Sequence, residues 1–145
     1  MNVRFENIEK FYISGYTMKT SEGTLEKDCA EIREKYEATL RTVSDDLYFI
    51  ATMSEGIMVY HFGVKVPTLE PVTDEATCVE VPASRFAVAT VLEGEPILAT
   101  WYKFFELFGK NDALLNGAEI DLDYPANFEF FAKNGTCELG IPVKV

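Results

Sequence analysis

The sequence predicts an α+β fold: tandem duplicated β-α-β-β units, with antiparallel sheets, two helices on one face and a ligand groove on the other. Three observations carry this expectation. Two amphipathic segments at helical spacing are each followed by a hairpin candidate, so the order reads strand, helix, hairpin, connector, strand, helix, hairpin. Residues 47–66 overlay residues 126–145 without a gap, matching Phe49 with Phe128, Gly56 with Gly135, and Val64-Lys65-Val66 with Val143-Lys144-Val145. Asn134-Gly135 is a strong hairpin signal, because a two-residue type I′ turn needs positive φ at both positions.

Along the chain, VRFENIEKFYISGYTMKT reads as extended structure, most strand-like from Phe11 to Met18. Thr20, Ser21 and Thr24 offer helix caps. The apolar set Leu25, Cys29, Ile32, Tyr36, Leu40 and Val43 then marks an amphipathic helix of about five turns, with Glu26, Lys27, Glu31, Arg33, Glu34 and Glu37 as its solvated face. Tyr48 to Met53 and Ile57 to Val66 flank a Glu55-Gly56 turn. PTLEPVTDEA, from Pro67 to Ala76, is a connector. Thr77 to Leu92 is extended and broken by Pro82. A second helix opens near Pro96, carries Ile97, Trp101, Phe104, Phe105 and Phe108 as its apolar stripe, and stops at Gly109. Residues 110–124 form a loop in which Leu114 and Leu115 tuck under the sheet, and the last hairpin pairs Phe128–Ala132 with Thr136–Ile141. Repeat one thus spans about residues 1–66, the connector 67–76 and repeat two about 77–145, all in a single domain.

Composition narrows the function classes. A net charge of −11 repels phosphate backbones, so direct nucleic-acid binding is not expected and cationic partners are favoured. Cys29, Cys78 and Cys137 have no metal-ligand spacing, so no metal and no cofactor are expected. The N-terminus lacks an apolar export core and no window is long and apolar enough to span a bilayer, which points to a reducing cytoplasm. No Ser/His/Asp arrangement and no phosphate-binding Gly-rich loop occurs.

Counting outward from a two-residue turn sets Ala132 opposite Cys137, Phe130 opposite Leu139 and Phe128 opposite Ile141, on the face covered by helices. Glu129 then lies opposite Gly140 on the open face, with Phe131 beside it. The same count in the first hairpin puts Phe49, Ala51, Met53, Met58, Tyr60 and Phe62 under the helices, and Tyr48, Ile50, Thr52, Val59 and His61 on the open face. The expected site is one carboxylate, Glu129, among Phe131, Tyr48, Ile50 and His61, a surface suited to a flat, lipophilic cation. Plainer readings stand beside it: Glu129 as a solvated strand residue, Trp101 as core packing, and His61 as a structural histidine.

The second half resembles the GyrI-like, or AraC-type effector-binding, domain family. The resemblance rests on VPASRFAVATVLEG, a Trp-bearing helix, the pair Phe128-Glu129 in a late strand, and the closing Ile141-Pro142-Val143; GYTMKT and HFGVKV match more loosely in the first half. It implies a central pocket in which Glu129 recognises cationic, lipophilic compounds; Trp101 is counted with the expected binding residues. Relatives often carry Tyr two residues after the Glu, where this chain has Phe131. In many relatives the domain follows a DNA-binding region; this sequence opens on its first strand, so a stand-alone domain is expected. Three functions follow from the resemblance: a binding protein that senses or sequesters multidrug-type compounds; a hydrolase of reactive cyclopropane-bearing compounds with Glu129 as general base; and a gyrase-inhibitor-like interaction module. Expected partners are accordingly a small cationic ligand and, for a regulatory role, gyrase or a separate DNA-binding protein.

Overall fold

A computed structural model of the chain describes residues 1–54, 57–123 and 126–144. The expected Glu55-Gly56 turn lies outside the described residues. Eight strands form one antiparallel sheet: β1 (Val3–Ile8), β2 (Phe11–Thr20), β3 (Leu47–Ser54), β4 (Ile57–Val66), β5 (Thr77–Val81), β6 (Ser84–Thr90), β7 (Ala126–Phe131) and β8 (Cys137–Val143). Their order across the sheet is β1-β6-β8-β7-β3-β4-β2-β5. The two extended segments of the sequence thus each split into a pair of strands, β1 with β2 and β5 with β6. In both cases the first strand is given away: β1 pairs with β6, and β5 pairs with β2.

Helices α1 (Leu25–Arg41) and α2 (Ile97–Gly109) pack on one face of this sheet. α1 buries Leu25, Ile32 and Leu40 at the expected spacing. Glu26 and Asp28 in its first turn and Arg41 in its last complement the helix dipole. Val43 falls beyond its end and is half exposed. α2 starts directly after Pro96, whose fixed φ and missing N–H cost nothing at that position. Between helices and sheet lies the main core, built on Phe49, Phe62, Phe104, Leu139 and Ile141, all nearly inaccessible. In the loop after α2, Leu115 is buried and Leu114 is exposed.

One expected register is corrected. β7 and β8 pair Phe128 with Gly140, Glu129 with Leu139, Phe130 with Glu138 and Phe131 with Cys137, one residue away from the two-residue count. The Ala132 N–H donates to the Thr136 carbonyl and the Gly135 N–H to the Ala132 carbonyl, so three residues form the loop. Gly135 has φ +88° while Asn134 is not among the positive-φ residues. This is the type I turn plus left-handed glycine of a three-residue loop; the Asn134 side-chain oxygen accepts from the Thr136 N–H at 2.9 Å and steadies it.

One residue of slip exchanges the faces of β7. Glu129 and Phe131 face the helices; Phe128 and Phe130 face away. The Phe128 ring lies directly over Gly140, where a β-carbon would collide with it. Phe128 therefore belongs to a second, smaller core with Phe11, Ile13, Ile50 and Phe86, not to the helix-covered one.

Candidate functional site

Strand β7 carries Glu129 to the middle of the sheet, opposite Phe49 of β3 and Leu139 of β8. Leu139 and Phe49 are fully buried, so the carboxylate stands between apolar neighbours beneath the helices. Trp101 comes to it from α2, since the helical stripe that buries Phe104 also turns the indole inward. Its Nε1–H donates to Glu129 Oε1 at 2.7 Å. Glu129 is only 7% exposed, which excludes the solvated-strand reading.

A cavity of about 610 Å³ opens beside this pair, between the two helices and the sheet. α1 contributes Leu25, Cys29 and Arg33, and α2 contributes Ile97, Leu98 and Trp101. Phe49, Glu129 and Phe131 form the floor. The Arg33 guanidinium lies 4.5 Å from the centre of the Phe131 ring and donates to Glu37 at 2.7 Å. Glu37 is held below the usual carboxylate range, first by that hydrogen bond.

Burial dominates the electrostatics of Glu129. It pushes the carboxyl up to about 7, against the opposing pull of the Trp101 hydrogen bond and, more weakly, of Arg33. The Cys29 thiol is also driven up, to about 12, by burial and then by Glu129, which disfavours its thiolate. Among the described residues no three His, Cys, Asp or Glu side chains are grouped to hold a metal ion. A carboxyl that changes charge near neutrality, bounded by aromatic and aliphatic walls, can accept one cationic group from a ligand or one proton from a water.

The expected site residues divide between the two faces. Glu129, Phe131 and Trp101 come together in this cavity. Tyr48 and Ile50 are on the opposite face, because the slip in β7 leaves β3 where it was expected and turns Glu129 away from it. That face has a depression of its own, about 320 Å³, floored in part by Phe11, Tyr48, Phe128 and Phe130. His61 is buried and structural in its contacts: Nδ1 meets the Thr17 hydroxyl at 2.7 Å and Nε2 meets the Ile13 carbonyl at 3.2 Å.

No protein-family model and no curated protein sequence matches the chain. Solved structures do. A cassette protein from the mobile metagenome of Vibrio cholerae superimposes with TM-score 0.73 at 15% identity, over 99% of this chain and 96% of that one. The protein SAV2435, solved bound to tetraphenylphosphonium, gives TM-score 0.72 at 13% identity, over 99% and 94%. The fold is that of the GyrI-like effector-binding domains. A third structure, of EcmrR in a complex with DNA, gives TM-score 0.67 at 9% identity; this chain is covered over 99% and EcmrR over 57%. At these identities the likeness is one of fold.

Two lining residues of the cavity beside Glu129 carry no site assignment from the sequence. The charge pattern of α1 puts Arg33 on the solvated face, although it lies one turn after Cys29 and so shares that residue's face. The hairpin count puts Phe49 under the helices, where it stands, but without Glu129 beside it. Tyr60, behind this wall, lies in T-shaped contact with Phe49, its ring centre 5.9 Å away.

Proposed function

We propose that this protein binds lipophilic cations in the cavity between its helices and sheet, with Glu129 as the counter-charge and Trp101 and Phe131 as aromatic walls. The observation that carries the reading is a single carboxyl, nearly inaccessible to solvent, beside a cavity of about 610 Å³ with a largely apolar lining. A cation of low hydration cost fits such a site, because the carboxylate supplies the charge and the ring faces supply further attraction. SAV2435, of the same fold, is described bound to tetraphenylphosphonium, which supports a ligand of this class.

Titration calorimetry with tetraphenylphosphonium tests it. Glu129→Gln is expected to weaken binding by about 1.5–3 kcal/mol, the scale of a charge-assisted contact. Affinity of the wild type should rise as pH passes upward through about 7, since the ionised form of Glu129 does the pairing, and the variant should lack that dependence. Equal, pH-independent binding by both proteins would overturn the assignment.

A second reading rests on the same carboxyl. A group titrating near 7 suits general-base activation of water, so the cavity would also serve a hydrolase of strained electrophiles such as cyclopropane-bearing compounds. Mass spectrometry decides between holding and turnover: the product gains one water with the wild type and the compound is returned intact from Glu129→Gln.

A further inference from the structure

A second cavity, of about 320 Å³, adjoins the first and meets it along Leu25, Leu98 and Trp101. Its remaining walls differ in character. Met53, Met58 and Phe105 give it an apolar, adaptable lining, and Ala51 leaves its floor open. Polar residues of the sheet also line it, Tyr60, Asn127 and Thr52, the last donating its hydroxyl to the Val59 carbonyl at 3.4 Å. Tyr60 is only 4% exposed. A phenol hydroxyl and an amide in an otherwise apolar cavity are positioned to take a polar atom of a bound molecule.

Resting on the cation-binding reading of the larger cavity, we infer that the smaller cavity is a second recognition subsite for the same ligand. It takes a flat aromatic arm bearing a hydrogen-bonding heteroatom, while the cationic end sits beside Glu129. The arm passes the edge of Trp101, lies against the methionine thioethers and Phe105, and presents its heteroatom to the Tyr60 hydroxyl and Asn127. Each cavity supplies what the other lacks: the larger holds Glu129, Arg33, Glu26 and Glu37, whereas the smaller has one acid, Glu22, at its edge. Glu22 is already engaged, accepting from the Tyr102 hydroxyl at 2.8 Å, and so closes the rim rather than competing for the ligand's charge. The ligand class is therefore an elongated, two-part aromatic cation rather than a compact one.

Fluorescence and calorimetric titration of two probes tests the subsite: N-methylpyridinium, which has the cationic head alone, and a methoxystyryl-N-methylpyridinium dye, which adds an aromatic arm ending in an ether oxygen. Both are titrated at about pH 8, where Glu129 is ionised. The wild type is expected to bind the dye at least about tenfold more tightly. Ala51→Leu, which fills the smaller cavity, should remove about tenfold of dye affinity, and Tyr60→Phe about threefold to tenfold, the scale of one hydrogen bond. Both variants should bind N-methylpyridinium as the wild type does. Should Ala51→Leu fail to fold by its melting curve, Tyr60→Phe, which keeps the ring, carries the test. Dye binding indifferent to the variants, with N-methylpyridinium still bound, overturns the subsite and leaves the Glu129 reading standing. Failure of the wild type to bind either probe overturns both.

Discussion

Glu129 is folded into surroundings that oppose its charge, and this has a measurable consequence for stability. Its folded value of about 7 exceeds the ordinary 4.5, so the native state holds a proton that the unfolded chain releases. The sign follows: its contribution is fully present below about 4.5 and is lost as pH rises through about 7, up to about 3 kcal/mol at alkaline pH. Glu129→Gln keeps the volume and an oxygen for Trp101 without the ionisation. The variant is therefore expected to melt higher than the wild type above pH 7 and to converge with it toward pH 4.5, as differential scanning fluorimetry across that range would show. His61, whose burial lowers its pKa, acts in the opposite sense: its contribution is full above the ordinary 6.5 and is lost as pH falls. It is common to both proteins, so the difference between their curves isolates Glu129. A variant that melts below the wild type at pH 8 would refute the buried-charge account.

At the scale of elements, the β7–β8 hairpin decides which side chains line the cavity beneath the helices. Asn134-Gly135 announces a hairpin in either of two forms, a two-residue turn with both residues at positive φ or a three-residue loop with only the glycine there. The same dipeptide serves both, so the existence of the hairpin was legible in the sequence and its register was not. The packing of Phe128 over Gly140 is the tertiary contact that accompanies the observed form. Phe128→Ala is expected to destabilise the fold by about 3–5 kcal/mol in urea denaturation while leaving tetraphenylphosphonium binding intact, because the ring lies on the face away from Glu129. Loss of binding without loss of stability would put Phe128 back on the helix side. Gly140→Ala should also destabilise, since its new methyl would occupy the space of the Phe128 ring. The helices were more legible than the strands' faces, because a stripe such as Leu25, Ile32 and Leu40 repeats over several turns, whereas a strand's face depends on one residue of register.

For the molecule as a whole, the exchange of outer strands ties the two halves together. β1 is held by β6 and β5 by β2, and the halves also meet along β3 and β7 at the centre of the sheet. Neither half then closes its own sheet, and thermal or urea unfolding is expected to be one cooperative transition. Far-ultraviolet circular dichroism and the fluorescence of Trp101, the single tryptophan, should follow the same curve; two separated transitions would show that the halves fold independently. No helix among the described residues is long and apolar enough to cross a membrane.

Composition and periodicity were enough to foresee an α+β, antiparallel architecture with two helices on one face, whereas Glu129 stood out through a hairpin count that placed it opposite Gly140, where the structure has Phe128. These are local properties, set by which residues recur at helical or strand spacing and by the turn residues between them. Phe131 and Trp101 were expected with Glu129, but the face on which they meet and the contact of Arg33 with that cavity were not legible in the same way. Glu129's partner Trp101 and its wall Arg33 come from helices distant in sequence, and whether it faced them or solvent hung on one residue in a loop. The raised pKa and the adjoining cavities arise only once sheet and helices close over one another, because burial belongs to the assembled fold rather than to any stretch of chain.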